Sequence, residues 1–254
     1  MALRAKHVEQ SLETIQSRLR RILDDRAPVV VEKAKSMLRE SKRQWDESQR
    51  QGRRERQLRP WGYSIHPSEP LRFKPAQVDG LRLRVDLATK ALWASEPATR
   101  PAHLGVVLRV WCLDPQVCFR EEWDQPGLSD DINPEIGRVM LRVHFDLANP
   151  GQPGPTYHVQ VGGKPLAEEL HWFPQSLSVP RLLHVPVDLM LAAELVTATF
   201  YPREFEIIRR EHSWKGSRRV SQEHLLDGYF SDALSSVRSN KSVLETLWNV
   251  SWDE

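Results

Sequence analysis

The residues best suited to chemistry are His144 and His158, with Asp146 between them in the chain. Imidazole titrates near neutrality and binds metals in its neutral form, so two histidines and a carboxylate on one surface could make a general base or a metal site. Their placement rests on a hairpin. Val139, Leu141, Val143, Phe145 and Leu147 alternate with Arg138, Met140, Arg142, His144 and Asp146, and Tyr157, Val159 and Val161 alternate beyond a turn-forming stretch from Asn149 to Gly154. A symmetric pairing that sets Leu147 opposite Pro155 also sets His144 opposite His158, both on the polar face. A third ligand would have to come from Glu121, Glu122 or Asp124. With no fixed third ligand, the histidines read as ordinary polar-face residues, and no catalytic residue, metal or cofactor is assigned.

Other chemical signatures fail on spacing. Gly162-Gly163-Lys164 lacks the phosphate-loop pattern and runs into Pro165, so it reads as the turn that ends a strand. The chain contains no Gly-x-Ser-x-Gly, His-Glu-x-x-His or Gly-x-Gly-x-x-Gly. Cys112 and Cys118 are too far apart for a Cys-x-x-Cys pair and have no second pair to complete a zinc site, so both read as buried thiols in a reducing compartment. Trp93, Trp111 and Trp172 read as core or loop anchors. Arg209, Arg210, Lys215, Arg218 and Arg219 surround Trp214, and Gly216-Ser217 is expected to put part of this cluster on an exposed turn. Cations interleaved with an aromatic are a candidate contact for nucleic acid or an acidic protein surface.

The elements that position these residues fall into two stretches. Val8, Leu12, Ile15, Leu19 and Ile22 step by four and three, a helical seam of coiled-coil type. Asp24 and Asp25 before Pro28 signal a new helix start, and Val31, Ala34, Leu38, Ser41 and Trp45 form its seam. Residues 1–59 are therefore expected to be an antiparallel helical hairpin for assembly or docking, fading into the arginines Arg50, Arg53, Arg54, Arg56 and Arg59. At Pro60-Trp61-Gly62-Tyr63 the composition changes, and 60–254 reads as an α+β domain with strands over about 71–162 and helices over about 186–250. Leu81, Leu83, Val85 and Leu87 alternate with Arg82, Arg84 and Asp86, the period of a strand with one wet face. Leu104 to Trp111 is a second strand, and Val117 to Phe119 a third after the Asp114-Pro115 turn. Val187 to Phe200 is apolar almost all round, a helix between layers, and Pro202 should break it. Shorter helical patterns follow near 224–237 and 242–250.

Composition narrows the function class. The chain has 254 residues, 28% charged and 40% hydrophobic, and a net charge of only +2, so no global field marks it as a nucleic-acid or membrane-surface binder. Its start has no signal-peptide run, and Val187 to Phe200 is too short to cross a bilayer, so the cytoplasm is the expected location and no membrane contact is expected. The first expectation is a non-enzymatic adaptor subunit of a bacterial multiprotein system. It would dock a protein partner or a second copy through the seam Val8, Leu12, Ile15, Leu19, Ile22, Val31, Leu38 and Trp45. The alternatives are a nucleic-acid-binding accessory using the Arg-rich patches, and a metal-dependent hydrolase or nuclease on the His144 and His158 face.

Overall fold

A computed structural model describes residues 3–52, 58–114, 137–149, 154–162 and 181–249. Val8, Leu12 and Ile15 of the first seam lie on α1 (Ala5–Arg18), which ends before Leu19 and Ile22, and the second seam lies on α2 (Ala27–Arg50). Between them Asp24, two residues ahead of the N-cap Arg26, folds the entry to α2, its Oδ1 accepting the backbone N–H groups of Arg26 and Ala27, each at 3.0 Å. Pro28 occupies the first turn of α2, where a missing N–H costs nothing.

Among the described residues the strands that follow are β1 (Trp61–Ile65), β2 (Leu71–Arg72), β3 (Ala76–Val78), β4 (Leu81–Trp93), β5 (His103–Cys112), β6 (Arg138–Leu147), β7 (Gly154–Pro155), β8 (Tyr157–Val161) and β9 (Leu182–Leu183). The main sheet is antiparallel in the order β1-β4-β5-β6-β8-β9. Along one edge β4 pairs in turn with β1, β2 and β3, and along the other with β5. The chain then forms α3 (Leu189–Phe200), α4 (Pro202–Ile208), α5 (His212–Arg238), α6 (Val243–Leu247) and β10 (Trp248–Asn249), which pairs with β7. Asp188 caps α3 by accepting the Leu191 N–H at 2.9 Å, and Pro202 starts the new helix α4. The α+β order expected from the sequence, helices then antiparallel sheet then helices, is the order observed.

The hydrophobic core does not stop at residue 60, where the composition changes. Leu12, Ile15, Leu19, Val31 and Leu38 of the hairpin share one buried cluster with Leu87, Trp93, Val106, Val196 and Trp214. Ser41, the polar member of the second seam, clamps α2 to the sheet. Its Oγ donates to the Gly62 carbonyl at 2.8 Å and accepts the Gly62 N–H at 3.0 Å. Gly62 is required there, because a Cβ would stand 2.1 Å from the Ala91 carbonyl oxygen on β4. Two isolated bridges, Leu3 with Ala98 and Leu23 with Phe73, tie each end of α1 to the sheet-bearing segment.

The expected strand at Val117 to Phe119 lies outside the described residues, as do Cys118, Trp172, Lys164, the arginines Arg53, Arg54 and Arg56, and Glu121, Glu122 and Asp124.

Candidate functional site

One face of the sheet collects the polar side chains of four strands. Arg72 on β2 pairs with Asp86 on β4, Asp86 with Arg109 on β5, and Arg109 with Arg142 on β6, so one register row carries three arginines around a carboxylate. The alternation in β4 predicts a wet face; in the structure Asp86 is 1% exposed, and Arg84, Arg109 and Arg142 are buried. Mutual compensation is what keeps these charges out of water. Asp86 Oδ1 lies 3.3 Å from Arg72 Nε and 3.6 Å from Arg84 Nε, and Oδ2 lies 3.5 Å from Arg109 Nη2. Arg109 also donates to the Pro67 carbonyl at 2.6 Å. Trp111 is flanked by the Arg84 and Arg109 guanidinium groups, 4.8 and 5.6 Å from its ring centre. Burial pushes the pKa values of Arg84, Arg109 and Arg142 down, with Asp86 acting against it at the first two.

Farther along this face are the two histidines, in a different register from the symmetric one. Asp146 stands opposite His158, His144 opposite Gln160 and Leu147 opposite Tyr157. The pairing slides because Pro155 is recruited elsewhere: Gly154–Pro155 pairs with the C-terminal β10, and Thr156 N–H donates to the Leu247 carbonyl at 2.8 Å. Both imidazoles share the face, but as diagonal and not direct neighbours. Burial, helped by the Arg142 and Arg109 charges, lowers the pKa of His144 to about 4, so the ring is neutral at pH 7, and its buried Nε2 has no hydrogen-bond partner among the described residues. Burial also lowers His158, whose Nδ1 lies 3.3 Å from the Pro155 carbonyl. It raises Asp146 to about 6, against the Arg181 charge. Asp146 needs a glycine opposite: a Cβ on Gly105 would stand 2.8 Å from its Oδ1. The space beside Asp146, His158 and Tyr157 is too tight for a water molecule. Among the described residues no group of three His, Cys, Asp or Glu side chains is arranged to hold a metal ion. This face is therefore a compensated, close-packed polar layer with neutral imidazoles, and its row of arginines was not singled out in the sequence because each occupies an unremarkable polar position of a strand.

The basic cluster also sits differently from the expected exposed turn. Lys215, Arg218 and Arg219 lie on α5, and Gly216-Ser217 are within that helix, because Ser217 is buried with its Oγ 3.0 Å from Thr14 Oγ1 on α1. Trp214 is fully buried, so it offers no face for a base to stack on. The arginines are paired with acids of this chain: Arg209 and Arg210 with Glu206, Arg218 with Glu194 and Arg219 with Glu223. The cleft between α1 and α2 is similar, with Arg39 bound to Glu9, Lys42 to Asp46 and Glu96, and Arg43 to Glu40 and Glu47.

The seam residues Val8, Leu12, Ile15, Leu19, Ile22, Val31, Leu38 and Trp45 are all buried, none above 8% exposure. They are covered by this chain's own sheet and helices, so the seam is core and not an outward docking stripe. An apolar stripe that does face outward lies on the second half of α5. Phe230, Leu234 and Val237 are 54%, 48% and 62% exposed. Phe230 and Leu234 come nine positions after the buried Ser221 and Leu225, two and a half helical turns, so they point directly away from the core. Phe230 is steadied at its base by an edge contact with Tyr229, which in turn meets Tyr157 of β8. The helical pattern of the sequence covers these residues, but the pattern alone does not say which face its apolar stripe takes.

No protein-family model matches the chain, and no curated protein or solved structure matches it either.

Proposed function

We propose that this chain is a non-enzymatic interaction protein, an adaptor subunit of a multiprotein system working in the cytoplasm, which docks protein through the outer face of α5. The observation that carries the reading is the exposed Phe230, Leu234 and Val237 stripe on the side of α5 opposite its core contacts. A rigid helix anchored along its other face presents apolar anchors at little entropic cost, the arrangement of helix-mediated recognition. The buried polar face of the sheet fits a structural role, since its carboxylate and guanidinium groups are spent on one another. Among the described residues no helix is long and apolar enough to cross a membrane, in keeping with a partner that is protein. The nucleic-acid reading is less well supported, because Trp214 is buried and four arginines of the cluster are ion-paired. The hydrolase reading lacks a third ligand among the described residues.

The test is proximity cross-linking in the native cell with wild type and with Phe230→Ser/Leu234→Ser, a pair of surface changes expected to leave the fold intact. Protein partners cross-linked to α5 in wild type should be lost in the variant. An unchanged set of cross-linked partners would sink the reading.

A further inference from the structure

Resting on that reading, we infer that the partner of the α5 stripe is a second copy of this chain, docked antiparallel across a two-fold axis. Charge complementarity points to this partner. The stripe has an acid at one end and a base at the other: Asp227 precedes Phe230, and Arg238 follows Val237. These two charges are eleven positions apart, about three helical turns, so both lie beside the stripe on the outer side of α5. Each is exposed, and neither makes an ion pair among the described residues. Two other charges of the helix near the stripe are already used, Asp232 by Arg100 and Glu223 by Arg219.

A helix with an acid at the head of its apolar stripe and a base at the tail is complementary to itself when inverted. In a two-fold pair every contact occurs twice, so Asp227 of each copy meets Arg238 of the other. The same register, centred between Asp232 and Ala233, sets Phe230 of one copy beside Leu234 of its mate. Ser231 and Ser235 are exposed and Ala233 half-buried, and such small side chains around the stripe let two helix axes approach to about 8–10 Å. The end of α5 is closed for this role. Lys241 N–H donates to the Ser236 carbonyl at 2.9 Å and Asn240 N–H to the Val237 carbonyl at 3.2 Å, a Schellman stop with Asn240 at positive φ, which turns the chain away just past Arg238. One helix from each copy buries less than the roughly 800 Å² per partner of a standard interface, so the dimer should dissociate on dilution.

Analytical ultracentrifugation of the full chain, from about 1 to about 300 μM and so across the range of weak affinities, tests this. Wild type is expected to pass from monomer to dimer, and Phe230→Ser/Leu234→Ser to stay monomeric with an unchanged circular dichroism spectrum. Asp227→Arg alone and Arg238→Asp alone should each weaken the dimer by about tenfold or more, since each two-fold pair places like charges together twice. The double variant Asp227→Arg/Arg238→Asp should restore it. Within one chain these residues are about 16 Å apart at 1.5 Å per residue, so rescue can arise only between copies. A chain that stays monomeric throughout the range, or a double variant no better than the single ones, overturns the inference. If cross-linking still finds another protein on the stripe in that case, the docking reading stands and only the identity of the partner has failed.

Discussion

A buried imidazole held neutral makes the fold sensitive to acid. His144 and His224 both have pKa values lowered to about 4, mainly by burial, and Trp93 Nε1–H donates to His224 Nε2 at 3.3 Å, a bond that needs that nitrogen unprotonated. The unfolded chain takes up these protons near 6.5 and the folded chain only near 4, so the unfolded state binds more protons in that window and stability falls as pH drops through it. His158 and His103 are lowered too and act in the same sense, whereas Asp146, raised to about 6, and Asp188, also raised, act in the opposite one. Each strongly shifted histidine can contribute on the order of 3 kcal/mol to the total loss. Urea melts at several pH values are therefore expected to show stability declining from pH 7 to pH 4. Replacing His144 and His224 together by Gln should flatten the decline, and Asp146→Asn should steepen it; parallel curves for all three proteins would contradict the assignment. A second residue-scale expectation concerns Asp86, the shared acid of a buried arginine row: Asp86→Ala should destabilise by about 3–5 kcal/mol, as for removing one member of a buried ion pair. The sequence told which face His144, Asp146 and His158 occupy, because alternation is local. It did not tell the register, because that depends on Pro155 pairing with a strand almost a hundred residues later.

Elements with a clean period were legible and those without one were not. The seams of α1 and α2, the alternations of β4, β6 and β8 and the apolar run of β5 mark those elements, although α1 stops before Leu19 and β4 continues past Leu87 to Trp93. The short β1, β2 and β3 carry too few residues for a period and exist because the long β4 offers them an edge. The apolar pattern of α5 becomes visible only near residue 224, yet the helix begins at His212, because the inner face of its first half is Trp214, Ser217 and Ser221 and so shows no apolar stripe. Those serines are buried because polar groups await them, Thr14 of α1 for Ser217 and the Asp188 cap of α3 for Ser221. The two apolar stripes can then be told apart by stability. Leu12→Ala or Leu38→Ala in the buried seam is expected to cost about 2–5 kcal/mol, a value typical of core truncations. Phe230→Ser and Leu234→Ser on α5 should each stay within about 0.5 kcal/mol of wild type, as at other surface sites. Equal losses at both stripes in denaturant melts would mean that the α5 stripe is covered within the chain.

At the scale of the whole molecule the question is whether the N-terminal hairpin is an appendage or half of the core. The heptad seams suggest a separable docking unit, since a sequence cannot say whether an apolar stripe is met by another chain or by its own. The structure gives the hairpin three kinds of attachment to the rest. Its seam residues are buried against the sheet and against α3 and α5. Its backbone is bonded across, with Asp24 N–H donating to the Arg72 carbonyl at 3.0 Å and Lys74 N–H to the Ile22 carbonyl at 2.7 Å. Glu96, from the connection after β4, accepts the Ala5 N–H at the start of α1 and also binds Lys42 of α2. Deleting residues 1–52 would uncover Trp61, Leu87 and Trp93, all buried in the cluster that the hairpin shares. Each large apolar side chain in such a core is worth about 1.5–3 kcal/mol of burial, so uncovering these three removes roughly 5–9 kcal/mol, comparable to the roughly 5–15 kcal/mol by which a domain is stable. The truncated chain is therefore expected to lack a cooperative thermal transition and to expose hydrophobic surface to a dye such as ANS. Full-length protein with α5 disabled by Phe230→Ser/Leu234→Ser should instead melt like wild type. A deletion variant that still unfolds cooperatively, with the near-ultraviolet dichroism of packed tryptophans, would show that residues 58–249 carry a core of their own and would return the hairpin to the status of an independent docking unit.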